Sequence, residues 1–90
     1  MIKSKPSRVC WTYMVECKYG TYYTGWTNDL AKRIAAHNAG KGAKYLRGKG
    51  PVKLVYKKKF LAPKKAQDHE RFIKALNRLE KESIITGKVK

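Results

Sequence analysis

Two short runs rich in aromatic and β-branched residues, parted by only three residues, constrain this chain more than any other feature. The first runs Cys10-Trp11-Thr12-Tyr13-Met14-Val15-Glu16-Cys17, and the second Thr21-Tyr22-Tyr23-Thr24-Gly25-Trp26. Such residues suit the pleated surface of a strand. Lys18-Tyr19-Gly20 between them reads as a turn, with Gly20 where a positive φ costs nothing. A connection this short predicts a hairpin. The chain has 90 residues, enough for one domain. A domain of that size buries only about 60% of the surface its unfolded chain exposes. One thin core is expected, a small sheet covered by helices, with neither a deep pocket nor a second domain.

The rest of the chain supplies those helices. Thr27 reads as a helix N-cap, with Asn28 and Asp29 in the first turn, where their oxygens suit the exposed N–H groups. Leu30, Ala31, Ile34 and Ala35 form an apolar stripe running to about Asn38, and Gly40 ends it. Residues 40–51 form a glycine-punctuated basic loop, too irregular for helix or strand. Val52 to Phe60 reads as a third strand with Leu54, Tyr56, Lys58 and Phe60 of one parity. Pro63 suits the first turn of a helix carrying Ala66, Glu70, Ile73 and Leu76 on one side and ending near Asn77. Asn77 and Glu80 form a capping box that opens a last helix, to about Ile85. The order is β-β-α-β-α-α, an α+β domain over residues 9–86. Residues 1–8 and 87–90 read as basic tails.

Charge narrows the function. Lys and Arg number 22 against 6 Asp and Glu, a formal net charge of +16. Solubility asks for roughly 2–8 in a small domain. An excess on this scale points to a polyanionic partner, with nucleic acid ahead of any membrane, because no long apolar run or basic amphipathic helix is present. Cys10 and Cys17 have opposite parity, so a bridge within their strand is not expected. With a polar, basic stretch from Met1 to Val9 and no secretory signal, the two cysteines read as reduced thiols of a cytoplasmic protein. The chain lacks the CxxC or His/Cys spacing of a zinc site.

Within the hairpin, Tyr13 ends a Trp11-Thr12-Tyr13 triplet and Tyr23 opens a Tyr23-Thr24-Gly25 triplet. The two tyrosines are ten residues apart, Arg33 follows Tyr23 by ten, His37 comes one helical turn later, and Glu70 lies on the helix after the third strand. With the Gly-Lys-Gly-Ala-Lys-Tyr string from Gly40, this pattern resembles the small stand-alone bacterial members of the GIY-YIG nuclease superfamily, over about residues 9–85. Trp11 and Thr12 depart from the Gly-Ile of the first triplet. Glu82 stands twelve residues after Glu70, where some nucleases of the family carry asparagine. The resemblance implies a three-stranded antiparallel sheet flanked by helices. It also implies hydrolysis of a phosphodiester with one divalent ion, Mg²⁺ or Mn²⁺, by Tyr13, Tyr23, Arg33, His37 and Glu70.

The residues suit that chemistry. Ala66, Glu70, Ile73 and Asn77 follow a core-facing rhythm, and an inward carboxylate needs a partner. That partner is either a hard cation, which prefers carboxylate oxygen, or a nearby Lys or Arg. Arg33 and His37 share a helix face. The guanidinium suits two phosphate oxygens, and its alternative is a solvated charge. His37 suits proton transfer or the orientation of water, and its alternative is ring packing. Tyr13 and Tyr23 need surrounding cations to lower a phenol pKa of about 10 before either serves as a base; sheet packing is the alternative, and the expectation for Tyr19 and Tyr22. Gly25 reads as a point of close backbone approach, to substrate or to the next helix, or as a turn residue. Lys41, Lys44, Arg47 and Lys49 are expected to grip phosphates, with Tyr45 or Trp26 stacking on an unpaired base. Two functions follow: a DNA endonuclease, structure-directed in repair or recombination and aided by a protein partner, or a nucleic-acid-binding module that keeps the fold without cutting.

Overall fold

The computed structural model describes residues 9–18, 20–40 and 51–87. Its elements are β1 (Cys10–Glu16), β2 (Tyr22–Thr27), α1 (Leu30–Asn38), β3 (Lys53–Phe60), α2 (Pro63–Lys74) and α3 (Arg78–Thr86). The three strands form one antiparallel sheet in the order β2-β1-β3. This is the expected α+β architecture. The two expected tails (apart from Gly87), Tyr19, and the loop residues Lys41, Lys44, Tyr45, Arg47 and Lys49 lie outside the described residues.

The register divides the sheet into two faces. Tyr13 stands opposite Gly25 and Val15 opposite Tyr23, so these four residues share one face. That face carries the cluster of Tyr13, Val15, Cys17 and Val52, with Tyr23, Leu54, and Leu30 and Ile34 of α1 packed against it. The stripe on α1 is therefore narrower than expected, because Ala31 and Ala35 are exposed. Thr12 and Met14 point the other way, towards α2, where Ala66 and Ile73 are fully buried. The Thr12 hydroxyl donates to the Ala66 carbonyl at 2.7 Å. Cys10 and Cys17 are both buried, and no disulfide joins them.

Four local expectations change. Thr27 does not cap α1. It remains paired with Trp11 in the ladder, and its hydroxyl accepts from the Asp29 N–H at 3.1 Å. Asp29 is the cap, its carboxylate accepting from the Lys32 N–H at 3.1 Å. In β3 the register shifts between Met14, which pairs with Tyr56, and Val15, which pairs with Leu54. The inserted residue turns Leu54 to the α1 face and leaves Tyr56, Lys58 and Phe60 on the α2 face, so the four do not share a side. Finally, α2 ends at Lys74, and Asn77 opens α3 through the expected capping box, with both of its hydrogen bonds at 2.9 Å. Gly87, read as tail, closes α3 at φ 78°, the left-handed conformation glycine favours.

Candidate active site

β2 is an edge strand, and Gly25 makes a gap within it. A Cβ at position 25 would lie 2.7 Å from the Tyr13 hydroxyl, 3.0 Å from Tyr13 Cζ and 3.2 Å from Tyr23 Cε2. Gly25 is thus neither a turn residue nor a positive-φ residue. It is the mid-strand position that receives the end of the Tyr13 side chain. Beside this gap opens a cleft of about 420 Å³. Tyr13, Tyr23 and Gly25 line it from the sheet, Arg33 from α1 and Glu70 from α2, with Trp26, Thr27 and Asn28 along the rim. Four of the five residues expected in catalysis therefore meet in one place.

His37 is not on the cleft wall. It is 1% exposed, behind the tyrosines. Its ring centroid lies 5.8 Å from that of Tyr13 and 5.6 Å from that of Tyr23, edge-on to the latter. Its Nε2 is 2.8 Å from the Tyr13 hydroxyl. Burial, reinforced by the Arg33 guanidinium, lowers the His37 pKa, so the ring is neutral at physiological pH. A phenol donates better than a neutral imidazole, so the Tyr13 O–H is assigned as donor to Nε2 and the ring proton to Nδ1.

Tyr13 reverses an expectation. Neighbouring cations were to pull a phenol down towards neutrality. Burial pushes the Tyr13 phenol well above its ordinary value instead; Tyr23 and Glu70 add to the rise, and Arg33 only partly opposes it. With Tyr13 1% exposed, the loss of water around the phenolate outweighs one guanidinium at a solvent-exposed position. Tyr13 is a phenol at any physiological pH.

Of the two partners the sequence offered it, Glu70 has the lysine, and it also faces the cleft. Its side chain, 19% exposed, lines the cleft, and its Oε2 lies 2.9 Å from Lys74 Nζ, one turn along α2. Lys74 is half exposed, so this pair sits at the boundary with solvent, where such pairs are weak. Among the described residues no group of three His, Cys, Asp or Glu converges to hold a metal. A single carboxylate still suits Mg²⁺, which keeps several waters and takes the rest of its shell from substrate phosphate. The cleft has volume for that hydrated shell, so the donor set fits the ion the resemblance implies.

Sequence reasoning pointed to Trp26 but missed the rest of the rim. Thr27 and Asn28 carried a helix-capping signal, which hid their place at the cleft. Lys74 was readable, since Glu70 and Lys74 stand at the i,i+4 spacing of a helix pair.

A three-stranded antiparallel sheet with helices on both faces, holding two tyrosines, an arginine and a glutamate around an edge-strand glycine, defines a compact class of domain. The chain belongs to the GIY-YIG family: residues 9–83 match the model of the GIY-YIG catalytic domain. It is similar to a UPF0213 protein of Clostridium perfringens, 53% identical over 78 residues, which are 87% of this chain and 84% of that one. A UPF0213 protein of Halobacterium salinarum is 49% identical over 72 residues, 80% of this chain and 94% of the relative. The solution structure of a UPF0213 protein from Bacillus halodurans is 42% identical, with a TM-score of 0.59, over 89% of this chain and 85% of that one. A second solution structure, of an E. faecalis protein, is 27% identical with a TM-score of 0.60, over 97% and 94% of the two chains. Among the described residues no helix is long and apolar enough to cross a membrane.

Proposed function

We propose that this protein is a metal-dependent endonuclease that hydrolyses phosphodiester bonds in DNA at the Tyr13–Tyr23–Arg33–Glu70 cleft. The reading rests on one observation: these four side chains line a single open cleft on a chain of net charge +16. Arg33 offers two N–H groups to the non-bridging oxygens of a phosphate and offsets charge as it builds there. Tyr13, held by its hydrogen bond to His37, presents its oxygen as an acceptor for a water in the cleft. Tyr23, the less buried of the pair, is the tyrosine positioned to meet the attacking water from the solvent side. Glu70 would hold a Mg²⁺ or Mn²⁺ ion. When bound, such an ion polarises a phosphate oxygen and lowers the pKa of its waters. His37 acts through Tyr13, by fixing the direction of its hydroxyl. Buried thiols and a basic surface suit a cytoplasmic protein acting on branched or nicked DNA in repair or recombination, with a partner protein to add specificity.

One observation favours a second reading, a binding module that does not cut. Glu70 already has a cationic partner in Lys74. The experiment that separates the two incubates wild type and Glu70→Ala with labelled duplex, single-stranded and branched DNA in Mg²⁺, Mn²⁺ or EDTA. Cleavage that needs metal and falls at least 100-fold in Glu70→Ala is expected, given what removing one transition-state group costs. Binding by both proteins with product from neither establishes the module and ends the nuclease reading.

A further inference from the structure

The register of β3 places two lysines beside the cleft, on its far side from β2. Lys57 stands opposite Tyr13, and Lys59 opposite Trp11. Since facing residues of an antiparallel ladder share a face, Gly25, Tyr13 and Lys57 form one row across the three strands. Thr27, Trp11 and Lys59 form the next. Both rows begin at a residue that lines the cleft and end at an exposed lysine, about 10 Å away at the ordinary strand spacing. Lys58, between the two, points to the opposite face, with its ammonium 5.9 Å from the Phe60 ring.

The charges on these rows are uncompensated. The chain has six acidic residues. Asp68 and Glu70 lie on α2, Glu80 and Glu82 on α3, Asp29 caps α1, and Glu16 stands at the other end of β1. Among the described residues, ion pairs engage Lys64, Arg71, Lys74 and Arg78, all on α2 or α3, and neither Lys57 nor Lys59. Lys57 is held differently, with its Nζ 5.6 Å from the Trp11 ring centroid. An ion pair would cancel the charge, whereas a cation–π contact positions the ammonium and leaves its charge available. A lysine so held, one strand from Tyr13, suits a polyanionic strand passing over the sheet.

We infer that Lys57 and Lys59, with Lys57 positioned by Trp11, form a phosphate-binding platform that holds the DNA strand on the β3 side of the scissile phosphate. This rests on the reading of the cleft as a site for DNA, and it adds the direction in which the strand leaves it. Each lysine contacts one phosphate and releases the counterion condensed there.

Fluorescence anisotropy with a labelled duplex in EDTA, over a range of NaCl concentrations, tests it. The double variant Lys57→Gln/Lys59→Gln should lower the magnitude of the log–log salt slope by about 1.8, or 0.9 per lost phosphate. Lys64→Gln, which removes another exposed lysine, from α2, should keep the wild-type slope. Trp11→Leu should weaken binding at fixed salt yet keep the slope, because both charges remain. Circular dichroism melts confirm that each variant is folded. Salt-dependent binding with the same slope in the double variant and wild type overturns the platform and leaves the cleft reading standing. Absence of salt-dependent binding by wild type itself overturns both. A Trp11→Leu protein that binds as tightly as wild type removes Trp11 from the platform.

Discussion

Gly25 is the residue on which the site's geometry turns. It faces Tyr13 across the ladder, and a methyl group there would meet the Tyr13 hydroxyl at 2.7 Å. Tyr13 has little room to yield, being buried and hydrogen-bonded to His37. Gly25→Ala should therefore cost about 1–3 kcal/mol of stability, the usual range for overpacking, read as a lower urea midpoint at constant slope. The displaced hydroxyl should also abolish most cleavage. An unchanged midpoint together with full activity would mean that Tyr13 does not need the space. Tyr13 also departs from expectation in a way that no spacing reveals. It and Tyr23 were both candidates for a lowered pKa, yet burial drives Tyr13 upward. That outcome depends on how much water the fold removes, a property of packed layers and not of the order of residues.

At the scale of elements, two threonines on the same face of the sheet make opposite contributions. Thr12 joins β1 to α2 through its bond to the Ala66 carbonyl. The Thr24 hydroxyl, on β2 beside it, is the buried side-chain oxygen without a hydrogen-bond partner among the described residues. Valine has the same shape and suits a strand better. Thr12→Val should lose about 1 kcal/mol, the net value of one hydrogen bond, and Thr24→Val should gain up to about 1 kcal/mol by removing a desolvated group. Chemical denaturation of both variants checks the contrast, and a loss in Thr24→Val would reveal a partner for that hydroxyl. The elements themselves were largely legible in advance. Pro63 and the Asn77–Glu80 box are local devices, so the starts of α2 and α3 could be read from a few adjacent letters. The start of α1 could not, because Thr27, Asn28 and Asp29 all suit an N-cap. The choice fell to Asp29 only because strand pairing with Trp11 kept Thr27 extended.

For the whole molecule, buried and half-buried titratable groups set the pH range of stability. His37 and His69 both have lowered pKa values, from burial first and then from Arg33 and Lys58 respectively. The unfolded chain takes up protons on these rings near pH 6.5, before the folded one does. Stability is therefore complete above about pH 6.5 and falls as the pH drops below it, since the unfolded state there binds more protons. Tyr13 acts at the other end. Its raised pKa keeps the folded state protonated above about pH 10, where the unfolded chain ionises, so stability falls as the pH rises past that point. Thermal melts from pH 5 to 11 should show a plateau between these limits, with a shallower acid side in His37→Gln. A melting temperature that stays flat between about pH 6.5 and 5.5 would contradict the lowered pKa of both rings.

What the residues determine alone is what acts over short distances along the chain: the hairpin, the caps of the last two helices, and the charge that calls for a polyanion. The family pattern belongs with these, because its tyrosines, arginine and glutamate sit at readable spacings. Only tertiary packing decided the remainder. The irregularity in β3 set which lysines share the face of Tyr13, a one-residue shift being enough to reverse every side chain beyond it. The removal of water around Tyr13 and His37 set their protonation, and the approach of α2 to the edge of β2 brought Glu70 to the cleft. Each of these depends on contacts between residues far apart in sequence, where no periodicity carries the information.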